Sequence, residues 1–355
     1  LSSVMNRIAE ILLDWYARHG RRLPWRETRD PYHIWVSEII LQQTRIAQGT
    51  DYYLRFVERF PDIASLAAAS EDQVLKQWQG LGYYSRARNL HRAAQLLAEQ
   101  FDGQFPRSYH QVRSLPGIGD YTAAAICSIA YRMPYAVLDG NVYRVLSRYF
   151  DLDTPIDTTA GKKLFTRLAN EQLDQDRPGD YNQAIMDFGA LQCTPSLPEC
   201  PRCPLRPHCR AQAAGTVALR PAKSKRSEPS PRYLHYFHIV SPEGTWVRRR
   251  TEDDIWRGLY EFPRIETPDD LPAEQMLSDV RYKALIRSAA TAKVLETLPP
   301  VKHLLSHRVL HIRFYRVSIP TPGFSLEGYA PATKEDLAHF AFPRPLAAYL
   351  ERSAR

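Results

Sequence analysis

The hydrophobic period of this chain changes at one place. Up to about residue 220, apolar residues recur at helical spacing, in runs broken by Gly and Pro. Residues 220–232, RPAKSKRSEPSPR, carry no period, and beyond them β-type alternation begins. A 3.6-residue period does not suit a strand, nor a two-residue period a helix, so the switch restricts the fold more than any single motif does. It predicts an all-α part, a linker rich in Pro, Ser and basic residues, and a separate α+β part. At 355 residues the chain is long enough for two or three such cores.

Within the first part, Val4, Ile8, Ile11, Leu12 and Trp15 mark an amphipathic helix over 4–18, ended by Gly20. Residues 33–48, HIWVSEIILQQTRIAQ, mark a second. Helices are also predicted over 50–60, 62–79, 86–101 and 121–131, with Pro61 as punctuation. From 141 to 190 the pattern stays helical with breaks at Pro155 and Pro178-Gly179, the last helix beginning at Tyr181-Asn182-Gln183. In the second part, 233–250 has β character, 255–263 (IWRGLYEFP) reads as turn and strand, and 309–319 as a strand with Leu310, Ile312, Phe314 and Arg316 on one face.

A net charge of +8 favours a polyanionic partner. The excess is spread out, at 29 Lys+Arg against 24 Asp+Glu through residue 230 and 18 against 15 beyond, so a basic tail is not its source. No apolar run has the length of a membrane span, and the mixed charges of the first twenty residues do not resemble a secretion signal. The five cysteines are therefore expected in a reducing compartment, where metal ligation is commoner than disulfides. Cys193, Cys200, Cys203 and Cys209 are spaced C-x6-C-x2-C-x5-C, enough thiolates in one short stretch to enclose a metal site. Zinc usually uses two C-x2-C knuckles and only one is present, so the spacing suits a cubane iron–sulfur cluster better. Cys127 reads as a core residue.

Several residues could carry chemistry. Glu38 lies at i+4 from Ile34 and i−3 from Leu41, on an apolar side where burial would raise its pKa and suit it to be a general acid; for an arbitrary helix, a carboxylate reaching solvent or a buried Arg is commoner. Gln42-Gln43-Thr44 reads either as ordinary surface or as a probe that enters a duplex. Arg21-Arg22-Leu23-Pro24-Trp25-Arg26 reads as a solvated loop with a packed Trp, or as the wall of a base pocket. Gly80-Leu81-Gly82-Tyr83-Tyr84-Ser85-Arg86 combines glycines, aromatics and arginine, as in a loop that stacks on bases and grips phosphate, or a turn before a helix. Leu115-Pro116-Gly117-Ile118-Gly119 is a turn before a helix, a place where backbone amides can meet an anion.

Taken together in this order, LPWR, VSEIILQQT, GLGYYSRARNL, LPGIGDYTA, LDGNV, YNQA and the four-cysteine loop resemble the adenine DNA glycosylases, the MutY family. The likeness covers nearly the whole chain. It implies an all-α helix-hairpin-helix glycosylase core, a six-helix barrel plus an iron–sulfur helical domain, followed by an α+β Nudix-like domain. The implied division is 21–133 for the barrel, 1–20 with 134–219 for the iron–sulfur domain, 220–232 for the linker and 233–355 for the Nudix-like domain. It implies excision of adenine mispaired with 8-oxoguanine, or with guanine, from double-stranded DNA. Glu38 would protonate adenine N7 and Asp139 would face the oxocarbenium-like sugar, although an Asp there also suits a helix N-cap. Tyr121 stands where bifunctional relatives carry a nucleophilic Lys, which implies a monofunctional glycosylase with Tyr121 and Asn141 positioning the sugar or water. By the same resemblance Trp25, Arg26 and Gln183 line the adenine pocket, while Gln42, Gln43, Thr44, Tyr83, Arg86, Gly117 and Gly119 contact DNA. Ser306 and His307 would sense 8-oxoguanine, with Leu305 in place of the usual Phe. The implied cofactor is one [4Fe-4S] cluster on the four cysteines, with a monovalent cation at the hairpin and no nucleotide cofactor. The protein is expected to act as a monomer, DNA-associated in a bacterial cytoplasm and not on a membrane. Two alternatives, a pyrimidine-damage glycosylase-lyase and a non-catalytic DNA-binding protein, are disfavoured by Tyr121 and by the pair Glu38 and Asp139. A nucleotide pyrophosphatase is disfavoured because no REx2E-type helix follows IWRGLYEFP.

Overall fold

A computed structural model describes residues 7–224, 228–287, 291–320 and 322–353. Val4 of the first predicted helix and residues 225–227 of the predicted linker lie outside them. The chain forms two compact units: one takes the residues up to Ala68 and from Asn89 into the linker, the other Ala69–Arg88 and the chain beyond the linker.

Among the described residues of the first unit all regular structure is helical: α1 (Arg7–His19), α2 (Pro31–Leu41), α3 (Ile46–Arg59), α4 (Ile63–Ala68), most of α6 (Ser85–Gln100), α7 (Tyr109–Ser114), α8 (Asp120–Tyr131), α9 (Gly140–Phe150), α10 (Thr159–Gln172), α11 (Pro178–Leu191) and α12 (Arg210–Ala213), with short 3-10 turns between. The run predicted as one helix over 33–48 is two. It ends at Leu41, Gln43 takes a left-handed backbone (φ 57°), and α3 starts at Ile46. A side chain in that conformation cannot continue a helix. The last helix begins three residues before Tyr181, because Pro178 occupies the first turn, where its missing N–H costs nothing.

α1, α9, α10 and α11 share a core of Ile8, Leu12, Trp15, Val142, Val145, Leu146, Phe165, Ile185 and Phe188. A Cβ on Gly189 would stand 2.6 Å from that of Asn141, so glycine lets α11 close onto the first turn of α9. Chain 220–224 is held on this unit: Asp151 pairs with Arg220 at 2.9 Å, and Asp157 accepts from the Ser224 amide and hydroxyl.

Among the described residues the second unit is built on an eight-stranded sheet: β1 (Ser230–Ser241), β2 (Gly244–Arg249), β3 (Tyr260–Glu261), β4 (Arg264–Thr267), β5 (Lys293–Thr297), β6 (Val301–Leu304), β7 (Arg308–Ser318) and β8 (Ala330–Ala332). The main path is β3-β2-β1-β7-β5, with β4 on β1, β6 on β7 and β8 on β2. β1 and β7 pair in parallel from Ser230↔Arg308 to Val240↔Ser318. Alternation along β7 puts Leu310, Ile312 and Phe314 on one face, and Tyr315 and Val317 on the other, each in its own core. Helices α13 (Ala273–Ser278), α14 (Val280–Leu285), α15 (Lys334–His339) and α16 (Arg344–Ser353) complete the unit.

α5 (Glu71–Gln77) belongs here too, so the run predicted over 62–79 divides between the units. A capping box of Ser70 and Gln73 starts α5. Arg249 reaches Glu71 at 2.7 Å and Asp72 at 3.2 Å, and Lys76 Nζ donates to the Phe340 carbonyl at 2.8 Å.

Candidate active site

α2 is apolar almost all round: Ile34, Trp35, Val36, Ile39 and Ile40 are buried with Glu38 among them. Asp30 caps its start, accepting from the Tyr32 amide at 2.8 Å. Glu38 opens onto a cavity of about 630 Å³ whose wall includes Trp25, Arg26, Tyr121, Asp139, Asn141, Arg144, Gln183 and Met186. The Tyr121 hydroxyl, on α8, donates to Glu38 Oε2 at 2.6 Å. Burial pushes the Glu38 carboxyl up to about 7, against the Tyr121 hydrogen bond and the charge of Arg26; the Asp139 charge adds to the rise. Burial thus favours the protonated acid.

Asp139 is held differently. It caps α9: Oδ1 accepts from the amides of Asn141 at 2.9 Å and Val142 at 2.8 Å, and Oδ2 from Asn141 Nδ2 at 2.7 Å. Burial raises its pKa, while these three donors and the Arg144 charge favour the ionised form. Asn141 is fixed in turn by Arg144, which donates to Asn141 Oδ1 at 2.8 Å, to the Gly189 carbonyl at 2.6 Å and to the Cys193 carbonyl at 2.7 Å. The cavity thus presents one carboxyl that readily keeps a proton and one held by N–H donors, the arrangement that divides acid from charge stabiliser.

Trp25 is buried edge-on against Tyr53, with centroids 5.2 Å apart. Gln183 Oε1 accepts from the Tyr16 hydroxyl at 3.1 Å. Gln42 Nε2 reaches Thr122 Oγ1 at 3.4 Å, and Thr44 lines the cavity while Gln43 is exposed. In the hairpin, Gly117 has φ 76° and lies so close to Asn89 that a Cβ would stand 2.7 Å from the Asn89 Cβ. Gly119 has open space around it, and both glycines are exposed before α8.

The second unit has its own cavity, of about 590 Å³, lined by Gly80–Ser85, Trp256 and His303–Arg308 among others. Tyr83, half exposed and with φ 48°, shares a 2.7 Å hydrogen bond with Ser306 at the β6–β7 turn. His307 is exposed on that turn, and Leu305 packs partly into the adjoining core. Arg86 folds back: its guanidinium donates to the Gly82 carbonyl at 3.2 Å and lies over the Trp78 and Tyr83 rings. Burial lowers its pKa to about 10.

Residues 36–171 match the HhH-GPD superfamily base excision DNA repair proteins and residues 235–352 the NUDIX domain. The adenine DNA glycosylase of Buchnera aphidicola subsp. Acyrthosiphon pisum is 32% identical over 348 residues, covering 97% of this chain and 96% of its own. The chain belongs to the adenine DNA glycosylase family. The adenine DNA glycosylase of Homo sapiens is 32% identical over 378 residues, covering 91% of this chain and 67% of that protein. A thermostable thymine-DNA glycosylase structure aligns with TM-score 0.56 and 27% identity over 60% of this chain and 99% of that one. An endonuclease III–DNA complex aligns at 0.52 and 20%, over 61% and 98%, a likeness of fold. This glycosylase is a base excision repair enzyme that hydrolyses N-glycosidic bonds in DNA.

The glycosylase carries Cys193, Cys200, Cys203 and Cys209 as free, partly buried thiols, and Cys127 in the core. Among the described residues no three His, Cys, Asp or Glu side chains form a metal-holding group, yet the four thiols are near enough to feel one another's charge. Burial raises Cys203 and Cys209. The Leu205 amide opposes it at Cys203, as the Gln212 and Ala211 amides do at Cys209. Arg148 Nη1 donates to Cys193 Sγ at 3.4 Å.

Four residues that the sequence does not single out also shape the site or hold its walls: Tyr16, Arg144, Met186 and Asp187. One signal was available. Met186 and Asp187 follow Gln183 by three and four residues, which puts them on its side of α11.

Proposed function

We propose that this enzyme excises adenine paired with 8-oxoguanine, or with guanine, from duplex DNA, by protonation of the base at Glu38 and stabilisation of the sugar cation at Asp139. The observation that carries the reading is the contrast between the two carboxyls. Glu38 is buried, with one hydroxyl donor and its pKa raised by burial, while Asp139 has three N–H donors. A proton on adenine N7 makes the base a better leaving group, and an ionised Asp139 facing the sugar lowers the energy of the positive charge that develops there. Adenine must leave the stack to reach Glu38, with Trp25, Arg26 and Gln183 forming its pocket. Tyr121 has no amine with which to form a Schiff base, so the enzyme is monofunctional; Tyr121 orients Glu38, and Asn141 orients Asp139.

Gln43, exposed on a left-handed backbone, would enter the duplex, supported by Gln42 and Thr44. The exposed amides around Gly117 and Gly119 would hold a phosphate, with or without a monovalent cation. In the second unit, Tyr83, Ser306 and His307 would recognise 8-oxoguanine, with Arg86 holding the Tyr83 loop. The four cysteines would hold a [4Fe-4S] cluster, supported by their all-sulfur donor set and the N–H groups aimed at Cys193, Cys203 and Cys209. Once bound, the cluster would supply a covalent closure of the loop. The enzyme would act as a monomer.

The test is a single-turnover assay on duplexes with adenine opposite 8-oxoguanine, guanine or thymine. Free adenine should appear with the first two, and the strand should break only after alkali. Release of a damaged pyrimidine instead, or strand breakage without alkali, would overturn the reading. Iron and sulfide analysis of pure protein tests the cluster; zinc with neither would refute it.

A further inference from the structure

Bonded to Arg26, in the wall of the cavity that Glu38 faces, is a buried carboxylate for which the reaction above has no use. Asp187, on α11, has a fully buried side chain and faces two arginines of the Arg21–Arg26 segment. Its Oδ2 accepts from the Arg21 amide at 2.9 Å and from Arg26 Nη1 at 2.7 Å. Its Oδ1 accepts from Arg21 Nε at 2.8 Å, from Arg26 Nη2 at 2.9 Å and from Arg21 Nη2. Arg26 Nη1 also donates to the Arg21 carbonyl at 3.2 Å. Five donors on one carboxylate fix both guanidiniums, and Arg26 forms part of the wall of the cavity that Glu38 faces.

Asp187 does not touch that cavity, and its sequence partners are 161 and 166 residues away. A buried ion pair is weak support for stability alone. The charge count is what matters: two guanidiniums that line the Glu38 cavity share one carboxylate, leaving a net positive group at its wall. We infer that Asp187 is a positioning residue for the excision reaction: it fixes Arg26 in the cavity wall and, with Arg21 as counterpart, sets the net charge that Glu38 faces. This rests on the assignment of Glu38 as the acid. The other groups facing Glu38 are Tyr121 from α8 and Asp139 at the start of α9, the latter backed by Arg144. From α1, Tyr16 lies between Arg26 and Gln183.

The two partners should move the pH profile in opposite directions. In Asp187→Asn the two guanidiniums are uncompensated, the environment of Glu38 becomes more positive, and its proton is lost at lower pH. In Arg21→Gln one positive charge is gone, Asp187 and Arg26 neutralise each other, and Glu38 keeps its proton to higher pH. Each alkaline limb should move on the order of 0.5–1 pH unit, the small end of what one neighbouring charge does.

The experiment measures single-turnover adenine excision by the full-length enzyme between pH 5.5 and 9, for wild type, Asp187→Asn, Asp187→Glu and Arg21→Gln. The inference expects the limb to fall in Asp187→Asn, to rise in Arg21→Gln, and to stay near wild type in Asp187→Glu, which keeps the charge. A uniform loss of rate with unmoved limbs in both Asp187→Asn and Arg21→Gln would overturn it and leave Asp187 a structural clamp. Because Asp187→Asn buries unpaired guanidiniums and can fail to fold, Arg21→Gln alone decides in that case: an upward shift supports the inference and an unmoved limb refutes it. Full activity in Glu38→Gln would refute the acid assignment itself, whereas an inactive Glu38→Gln with unmoved limbs refutes only the role of Asp187.

Discussion

Glu38→Gln should make the protein more stable and less active, with a gain in stability that depends on pH. In the folded protein burial lifts the Glu38 carboxyl from 4.5 to about 7. The sign follows from linkage. Well below pH 4.5 the carboxyl is protonated in the folded and unfolded states alike, so no charge is buried. Between pH 4.5 and 7 the unfolded chain releases its proton while the folded protein retains it, and stability falls until the folded carboxyl ionises as well. A rise from 4.5 to about 7 corresponds to about 3 kcal/mol lost by pH 8. Glutamine has no charge to bury and its carbonyl can still accept from Tyr121. The stability of Glu38→Gln relative to wild type should therefore be about 2–3 kcal/mol greater at pH 8 than at pH 4.5, or on the order of 5 °C in melting temperature. Thermal melts of both proteins at pH 4.5, 5.5, 6.5 and 8 read this directly. The same variant cannot donate a proton, so excision should drop by about 10²–10⁴. A stability difference that is the same at every pH would show that Glu38 is not a strained acid, and would refute the reasoning from burial.

Other expectations follow from single contacts. Gly189→Ala places a Cβ 2.6 Å from the Asn141 Cβ and 3.0 Å from its carbonyl oxygen. Separating α9 from α11 should cost about 1–3 kcal/mol and slow excision through Asp139, with DNA affinity little changed, as denaturant melts and single-turnover rates would show. Gly117→Ala meets both a positive φ and the Asn89 side chain; it should weaken binding to all duplexes alike in titrations at two salt concentrations, and a loss confined to one base pair would contradict it. Tyr83→Phe and Ser306→Ala each remove the same exposed 2.7 Å bond, so each should change stability by less than about 0.5 kcal/mol. Both should narrow the preference for 8-oxoguanine over guanine, and combining them should add little; independent, additive losses would show that the bond is not the shared cause.

Much of the fold was legible because it is written in local periods. The apolar residues of α1 and the alternation of Leu310, Ile312 and Phe314 in β7 matched the faces the protein buries. The misplaced boundaries have specific reasons. No Gly or Pro marks the end of α2 at Leu41, so the break at the left-handed Gln43 has no breaker residue to signal it. The separation of α4 from α5 could have been read from the capping box of Ser70 and Gln73, but the helical period runs across it and concealed the change of unit. The sequence does not mark Asp187, because an isolated Asp on an apolar helix gives no hint of partners more than 160 residues earlier.

The sequence by itself determined which stretches are helical and which are extended, though not every boundary, that four thiols share one short stretch, and that a carboxyl lies on the apolar side of α2. These are properties of neighbouring residues and hold in any context that folds. Only the tertiary structure decided what surrounds each carboxyl. Glu38 and Tyr121 are 83 residues apart, and the rise to about 7 depends on which dry surfaces, donors and charges the helices bring around the carboxyl. Desolvation and Coulomb energy are set by distances of a few ångströms in space, and no local pattern in a sequence encodes them.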